Sequence, residues 1–523
     1  MIDGSIQSFP LTLDRILDHA AKWHPDTEVV TAGEGGINRR VDYATLRQRA
    51  LKVSSLLRDY GVVRGNRVAT LAWNSQAHVE VWYAIMGMGA VCHTLNPRLT
   101  ATQLAWMLGQ SGATILIVSA DLQPLAAKIV AEAPHLERVL VIDGEASPGI
   151  GATLEPLIEA ASLDIAWGGF DETAPSGLCF TSGSTGAPKG VTYTHRSSFL
   201  HTLRLMQADV LGVRSTDSVL PVVPMFHANA WGLPFAVPGA GAKLVLPGRH
   251  TDGASLARLI ESENVTIAVG VPTVWLGLCE HLETTGTRLP SLQRITVGGA
   301  PMPPALMARI EDQLGVAVQT SWGMTELSPV GTFGVMTDAD RPAAISGRPA
   351  LGVDLMLADE KGDPLADQRD REGRLHVRGA AVIERYFGQE TPCADAEGWF
   401  DTGDLAKIDR RGNLMITGRA KDLIKSGGEW INPAEIEAVV CALPQVSLAA
   451  VIGRSDDKWG ERPMLLVELR EDQDISDQDL LGALRGRVAS WWIPDSVVRV
   501  PSMPLASTGK IDKLSLRASF SGG

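Results

Sequence analysis

Between residues 43 and 60 the apolar side chains Leu46, Ala50, Val53 and Leu57 recur at helical spacing, and Gly61 follows directly. That periodicity predicts a helix with one buried face, stopped by the glycine. The next apolar run, residues 68–72 (VATLA), has the length of a buried strand. Helical spacing returns over residues 77–88, and strand character over 113–119 (ATILIVS). Residues 243–246, 266–269 and 294–297 repeat the strand pattern, each ahead of a turn and a helix-like stretch. The alternation predicts α/β architecture, with parallel-rich sheets covered by helices.

The texture changes near Gly352. Short alternating runs at residues 353–357 and 373–377 sit among Gly, Asp and Pro, and predict a small β-rich subdomain. Beyond residues 418–422 (GRAKD) it changes again. Residues 433–443 show a helical pattern, 447–452 and 464–469 that of strands, and 476–490 that of a second helix capped by Ser476. Together they predict a compact α+β unit of about a hundred residues. The expected division is a large N-terminal domain over residues 1–419 and a smaller C-terminal one over 420–523.

A chain of 523 residues has room for roughly two or three such units. Its formal net charge of −13 argues against nucleic acid as a partner, which would call for a basic face. Residues 218–242 carry no formal charge over about the length a bilayer requires. Pro221, Pro224, Pro234 and Pro238 would break a lipid-exposed helix there, so the run reads as buried strand and pocket wall. No transmembrane segment is expected, and peripheral membrane contact is left open. Cys92, Cys179, Cys279, Cys393 and Cys441 are scattered without metal-ligand spacing, which argues against structural zinc and fits a reducing cytoplasm. The opening residues, MIDGSIQSFPLTLDRI, lack the basic and apolar regions of a secretory signal.

The densest chemistry lies in residues 181–191 (TSGSTGAPKGV). Gly183, Gly186 and Gly190 permit close backbone approach to a ligand. Thr181, Ser182, Ser184 and Thr185 supply hydroxyls, and Lys189 a mobile positive charge. Such a loop can wrap nucleotide phosphates. It is not a Walker A loop, because no Gly-Lys-Ser/Thr closes it. In isolation it also fits a Gly/Ser surface loop.

Four distant segments add to it. In residues 297–301 (VGGAP) a glycine pair would let a flat ring lie on the backbone, or would simply make a strand-to-helix turn. Residues 321–326 (SWGMTE) offer an aromatic to stack, a hydroxyl for phosphate and a carboxylate for Mg²⁺, or a core tryptophan beside a solvated acid. Residues 399–404 (WFDTGD) present Asp404 to a ribose diol, or form an Asp turn. Residues 504–510 (PLASTGK) end on Lys510, which alone would be a solvated lysine.

In this order and spacing the chain resembles the acyl- and aryl-CoA synthetases of the adenylate-forming superfamily, which includes insect luciferases and peptide-synthetase adenylation domains. TSGSTGAPKG, GGAP, WGMTE, GWFDTGD, GRAKDLIKSGGEWINPAEIE and STGKIDK carry the resemblance, which spans nearly the whole chain. It implies that a carboxylate attacks the α-phosphorus of Mg-ATP to give acyl-adenylate and pyrophosphate. The thiol of coenzyme A then displaces AMP. No enzyme nucleophile is needed, so catalysis would rest on positioning and on stabilising phosphate charge.

The resemblance also implies roles. Thr181, Ser182, Gly183, Ser184, Thr185, Gly186 and Lys189 would clamp the β- and γ-phosphates. Gly299, Ala300 and Pro301 would flank the adenine, with Trp322 stacked on it and Gly323 and Met324 in the same nucleotide-binding turn. Thr325 would touch the α-phosphate and Glu326 would hold Mg²⁺. Asp404 and Arg419 would hold the ribose. Lys510 would bridge the carboxylate and the α-phosphate, so that Lys510, Glu326, Thr181 and His227 form the expected catalytic set. Lys421 would be the hinge of a mobile C-terminal domain. Rotation there would withdraw Lys510 and bring up Lys425, Gly427, Gly428, Glu429 and Trp430, the glycines leaving room for the pantetheine arm. Residues 93–99 (HTLNPRL) resemble fatty-acyl relatives of which some are dimers, which leaves a homodimer open.

For the acid, residues 224–231 (PMFHANAW) and 426–430 (SGGEW) are similar to the medium- and long-chain fatty-acyl subgroup. His227 would admit or orient the carboxylate. Trp231 would gate a tunnel, since a rigid apolar plate can swing aside for a chain and otherwise keep it dry. Val271, Pro272, Trp275 and Gly298 complete the expected acyl pocket. An apolar pocket separates homologous acids by only about 1–3 kcal/mol per methylene. A short alkanoate, a thioether acid such as methylthiopropionate, or an aryl acid therefore stays open, as does loading of a free-standing carrier protein. Leu505 and Ala506 replace the usual basic residue and threonine, and Asp512, Trp491 and Trp492 are also less usual. A luciferase-like oxygenase would share the first half-reaction. A silent nucleotide-binding regulator would have no need of Glu326, Asp404, Arg419 and Lys510 together.

Overall fold

Asp42 caps the helix Tyr43–Asp59 by accepting a hydrogen bond from Thr45 N, and Leu46, Ala50, Val53 and Leu57 are all buried along it. The spacing that predicts the helix also selects its core face. The computed structural model describes residues 3–36, 38–181, 188–338, 340–427, 429–456, 458–506 and 510–520. Among these the strands form four sheets.

The first runs through Ala152–Thr153, Arg138–Ile142, Ile115–Ser119, Arg67–Leu71, Val91–Thr94, Pro175–Thr181 and Lys189–Thr194, with only the last pairing antiparallel. The second is parallel from Ala317–Gly323 through Arg294–Val297, Ile267–Gly270, Ser218–Pro221 and Lys243–Leu246 to Glu28–Thr31. Antiparallel strands close both its edges. Parallel strands flanked by helices are covered on both faces, and Ile115–Ser119 and Ile267–Gly270 are accordingly buried throughout.

One asparagine ties these two sheets together. Asn74 follows Arg67–Leu71 of the first and is buried against the second. Its Nδ2 donates to Pro221 O and Val223 O, each at 2.9 Å, and its Oδ1 accepts from Met225 N at 2.7 Å. The segment leading into His227 is thereby fixed. Asn74→Ala leaves two carbonyls and one N–H buried without those partners, and is expected to cost about 3 kcal/mol. An earlier unfolding transition of the N-terminal domain in denaturant measures it.

The β-rich subdomain is an antiparallel sheet of Val353–Ala358, Glu372–Gly379, Phe400–Ile408 and Leu414–Arg419. A separate sheet follows, of Glu429–Ile431, Ile424–Ser426, Gly460–Leu469, Val446–Asp456 and Ser496–Arg499. The helix Pro433–Cys441 contributes Ile436 and Val440 to its core. The α/β class, with a large sheet domain, a β-rich subdomain and a smaller α+β unit, is borne out.

The helix expected over residues 476–490 is not. Ser476 does cap a helix, accepting from Asp479 N, but the helix spans only Asp477–Gly482. Gly486 turns left-handed at φ +73°, and glycine inside a helix costs about 1 kcal/mol relative to alanine. Residues 218–242 contain the strand Ser218–Pro221 and the short helix Leu233–Gly239. No helix of the described residues is long and apolar enough to cross a membrane. All five cysteines are free, with Cys92, Cys179 and Cys279 buried.

Candidate active site

The strands Pro175–Thr181 and Lys189–Thr194 pair so that Thr181 stands opposite Lys189. Ser182, Gly183, Ser184, Thr185 and Gly186 lie outside the described residues. Lys189 Nζ lies 4.8 Å from the centre of the Tyr386 ring, and the Tyr386 hydroxyl donates to Glu326 Oε1 at 2.9 Å. Glu326 sits in the 3-10 turn Thr325–Leu327, just past the strand Ala317–Gly323. The Tyr193 hydroxyl steadies that turn by donating to Thr325 O at 3.1 Å. Burial pushes the Glu326 carboxyl up, while local hydrogen bonds and the charges of Arg419 and Lys189 oppose the shift.

A second knot of charge forms around Asp404, which is 2% exposed and lies opposite Arg419 in strand register. Its Oδ2 accepts from Trp322 Nε1 at 2.9 Å, and its Oδ1 pairs with Arg419 Nε at 2.6 Å. Burial pushes this carboxyl up, against the pull of Arg419 and Trp322. Each carboxylate oxygen keeps one further lone pair for a ligand hydroxyl. Trp322 is 8% exposed, and a Cβ added to Gly331 would lie 2.8 Å from its Cζ3. Little of that ring is open to a base.

Lys510 reaches this knot from a loop closed at its base. Ala506 N donates to Lys510 O at 2.6 Å, Asp512 N donates to Pro504 O at 2.8 Å, and Leu505 bridges Ile511. Crowding by surrounding protein and the Arg419 charge lower the Lys510 ammonium to about 8, with Asp404 and Glu326 opposing. The residue keeps exposed surface all the same. His227 feels the same ammonium, and burial lowers its imidazole to about 4, which leaves it neutral at physiological pH.

Lys421 lies in the turn Ala420–Asp422, beside the Arg517–Asp422 ion pair of 2.9 Å. The strands Ile424–Ser426 and Glu429–Ile431 form a hairpin whose Lys425, Glu429 and Trp430 are exposed, with Lys425 Nζ 5.3 Å from the Trp430 ring. Gly427 takes φ +61°, and an added Cβ there would lie 2.8 Å from Trp459. Gly428 lies outside the described residues. Among the described C-terminal residues, Lys510 feels the charges of both Asp404 and Glu326.

On the acyl side, residues 228–232 run left-handed, with φ of 45° at Ala228, 52° at Asn229, 45° at Ala230, 54° at Trp231 and 78° at Gly232. For non-glycine residues this conformation costs roughly 1–2 kcal/mol each. The turn lays Trp231 on the glycine pair: a Cβ added to Gly298 would lie 2.9 Å from Trp231 Cη2, and one on Gly299 3.5 Å from Cζ2. Val271 Cγ1 meets Gly299 from another side. Ala300 is half-buried and Pro301 exposed beyond them, while Gly323 and Met324 lie half-buried in the Trp322 strand and its turn. Pro272 is buried at the start of the helix Pro272–Thr285. Trp275 stands apart from the convergent set, fully buried over Gly270 in the core.

Two tyrosines that sequence reasoning missed, Tyr193 and Tyr386, thus support the Glu326 turn. Tyr386 is 60 residues from Glu326 in the chain, and no periodicity or motif marks it.

Residues 17–387 match the AMP-binding enzyme family, and residues 435–510 match the AMP-binding enzyme C-terminal domain. The chain belongs to the AMP-binding enzyme family. The 3-methylmercaptopropionyl-CoA ligase of Ruegeria lacuscaerulensis is 40% identical, over 99% of this chain and 98% of that protein. The medium-chain-fatty-acid–CoA ligase of Ectopseudomonas oleovorans is 39% identical over 99% and 97%. The long-chain-fatty-acid–CoA ligase of Thermus thermophilus is 39% identical over 98% and 96%. Among solved structures, the anthranilate CoA ligase AuaEII in complex with anthranoyl-AMP gives a TM-score of 0.89 at 25% identity, covering 98% of both chains. ATP-bound MatB from Rhodopseudomonas palustris gives 0.86 at 26% identity, covering 98% of this AMP-binding enzyme and 99% of MatB. Apo MatB gives 0.75 at the same identity and coverage.

Proposed function

We propose that this AMP-binding enzyme activates a medium- or long-chain fatty acid as its acyl-adenylate and passes the acyl group to coenzyme A. The chain is an AMP-forming acid–CoA ligase. What carries the fatty-acid reading is the apolar plate of Trp231, laid on Gly298 and Gly299 beside Val271 and next to a neutral His227. A plate held by a strained turn can yield to an alkyl chain and otherwise exclude water.

In this reading the carboxylate enters past His227 toward Lys510. Its oxygen bonds to the α-phosphorus as the bond to pyrophosphate breaks, and the Lys510 ammonium offsets the charge that gathers there. Thr181, Lys189 and the segment between them hold the departing phosphates. Asp404 and Arg419 hold the ribose. Rotation about Lys421 then replaces Lys510 with the hairpin of Lys425 and Gly427. There the thiol sulfur of coenzyme A bonds to the acyl carbon and AMP leaves. Glu326 offers one hard oxygen donor, which fits a magnesium ion that takes its other ligands from phosphate and water. Among the described residues no cluster of three or more His, Cys, Asp or Glu could hold a metal by itself. Bound there, magnesium would neutralise phosphate charge. We place the enzyme in the cytoplasm, where free cysteines persist as thiols.

A thioether acid is the second reading, favoured by the 40% identity to the Ruegeria ligase. The test is kcat/KM over propionate, methylthiopropionate, octanoate, palmitate and cinnamate. Octanoate or palmitate is expected to exceed methylthiopropionate, and Trp231→Ala to change that ratio roughly tenfold. A parent enzyme that prefers methylthiopropionate would replace the fatty-acid reading with the thioether one.

A further inference from the structure

The helix His195–Leu205 starts directly after the strand Lys189–Thr194. Two of its residues, one turn apart, grip a single residue of the strand Val330–Phe333. His201 Nε2 accepts from Val330 N at 3.1 Å, and Arg204 Nη1 donates to Val330 O at 3.1 Å. Val330 pairs with Gly323 across the turn that bears Glu326. The His201 ring also abuts Gly232, the last of the left-handed residues: an added Cβ there would lie 2.6 Å from Nδ1 and 2.8 Å from Cε1. His201 is 1% exposed, and burial, with the Arg204 charge adding, lowers its imidazole far below the ordinary value. Nε2 therefore stays an acceptor. One neutral ring fills the space between the turn that carries Glu326 and the turn that carries Trp231. A strained turn persists only where its surroundings over-determine it, and Gly232 has this ring as its backstop.

We propose that His201 is a positioning residue that seats the Trp231 turn against the Glu326 turn and thereby contributes to acid selectivity. The inference rests on the reading of Trp231 as a wall of the acyl pocket. The nucleotide side is held through Val330 and the acid side through Gly232, so the two contacts can be separated by mutation. His201→Gln keeps an acceptor for Val330 N and removes the ring. His201→Asn removes the ring with a shorter amide, whereas alanine at Gly232, held at φ +78°, would strain the turn itself and is no clean probe of the ring.

Initial rates of the full-length enzyme, with ATP and each acid varied in turn, read the effect. For His201→Gln, KM for ATP is expected to stay within about twofold of the parent while KM for the fatty acid rises roughly tenfold. The octanoate-to-methylthiopropionate ratio should shift in the same sense as in Trp231→Ala, and His201→Asn should reproduce that shift. If KM for ATP and for acid rise in parallel, or if the acid ratio stays within about twofold of the parent in both variants, His201 only fills space and the proposal falls. Trp231→Ala separates the two levels. An unchanged acid ratio there removes the pocket reading itself, whereas a changed ratio with both other variants silent removes only the role of His201. Should His201→Gln fold poorly, His201→Asn, the smaller ring deletion, decides the matter.

Discussion

Lys510→Ala is expected to lower acyl-adenylate formation by about 10²–10³-fold, the usual loss when one aligned donor to developing charge is removed. Thioester formation from supplied acyl-adenylate should fall by less than about tenfold. The asymmetry follows from placement. Lys510 shares the cleft of Asp404, Glu326 and His227, while the Lys425–Gly427 hairpin proposed for the second step is on the surface. Acid-dependent exchange of labelled pyrophosphate into ATP measures the first step, and release of acyl-CoA from synthetic adenylate the second. Equal loss of both would defeat the two-state assignment. The same lysine sets a pH limb. With its ammonium lowered to about 8, the charged form dominates below that pH and is lost above it. The kcat/KM of exchange, which reports the free enzyme, should therefore decline as pH rises past about 8. Lys510→Arg, charged throughout, should lack that limb.

Where one residue type at one spacing suffices, the chain was legible. Helix Tyr43–Asp59 showed in its apolar period, and the order of the glycine-rich, Trp-Gly-Met-Thr-Glu and terminal Gly-Lys segments pointed to the family. Contacts made by distant residues were not legible. Trp322 and Asp404 are 82 residues apart and meet only because two strands of different sheets converge. The left-handed run at 228–232 was hidden because such a conformation is ordinarily left to glycine, and only Gly232 of the five is one. Trp275 shows the same limit, in that its packing is set by distant partners. Its position near Val271 fits a pocket wall, yet the helix Pro272–Thr285 turns its ring inward over Gly270. Over residues 476–490 the apolar period survives two glycines that the backbone does not.

Glu326→Gln is expected to lower adenylation by roughly 10²-fold or more while leaving stability equal or slightly higher. The two halves of that expectation come from one observation. The Glu326 carboxyl is buried, and burial raises it above its ordinary value. As pH rises through the ordinary carboxylate value, the unfolded chain releases its proton first, so stability is lost across the window that ends at the raised native value. At neutral pH the ionised side chain therefore works against the fold. Glutamine keeps the shape and an oxygen able to accept from the Tyr386 hydroxyl, now 2.9 Å from Oε1, and removes the buried charge. What it cannot supply is an anionic oxygen for magnesium, so the magnesium concentration for half-maximal exchange should rise as well. Thermal unfolding and exchange rates across a magnesium series read the two halves separately. A variant that loses stability and activity together, with its magnesium dependence unchanged, would make Glu326 a packing residue and leave the ion to be held elsewhere. The expected pattern, function lost and stability kept, is that of a charge retained at a cost to the fold because the chemistry requires it.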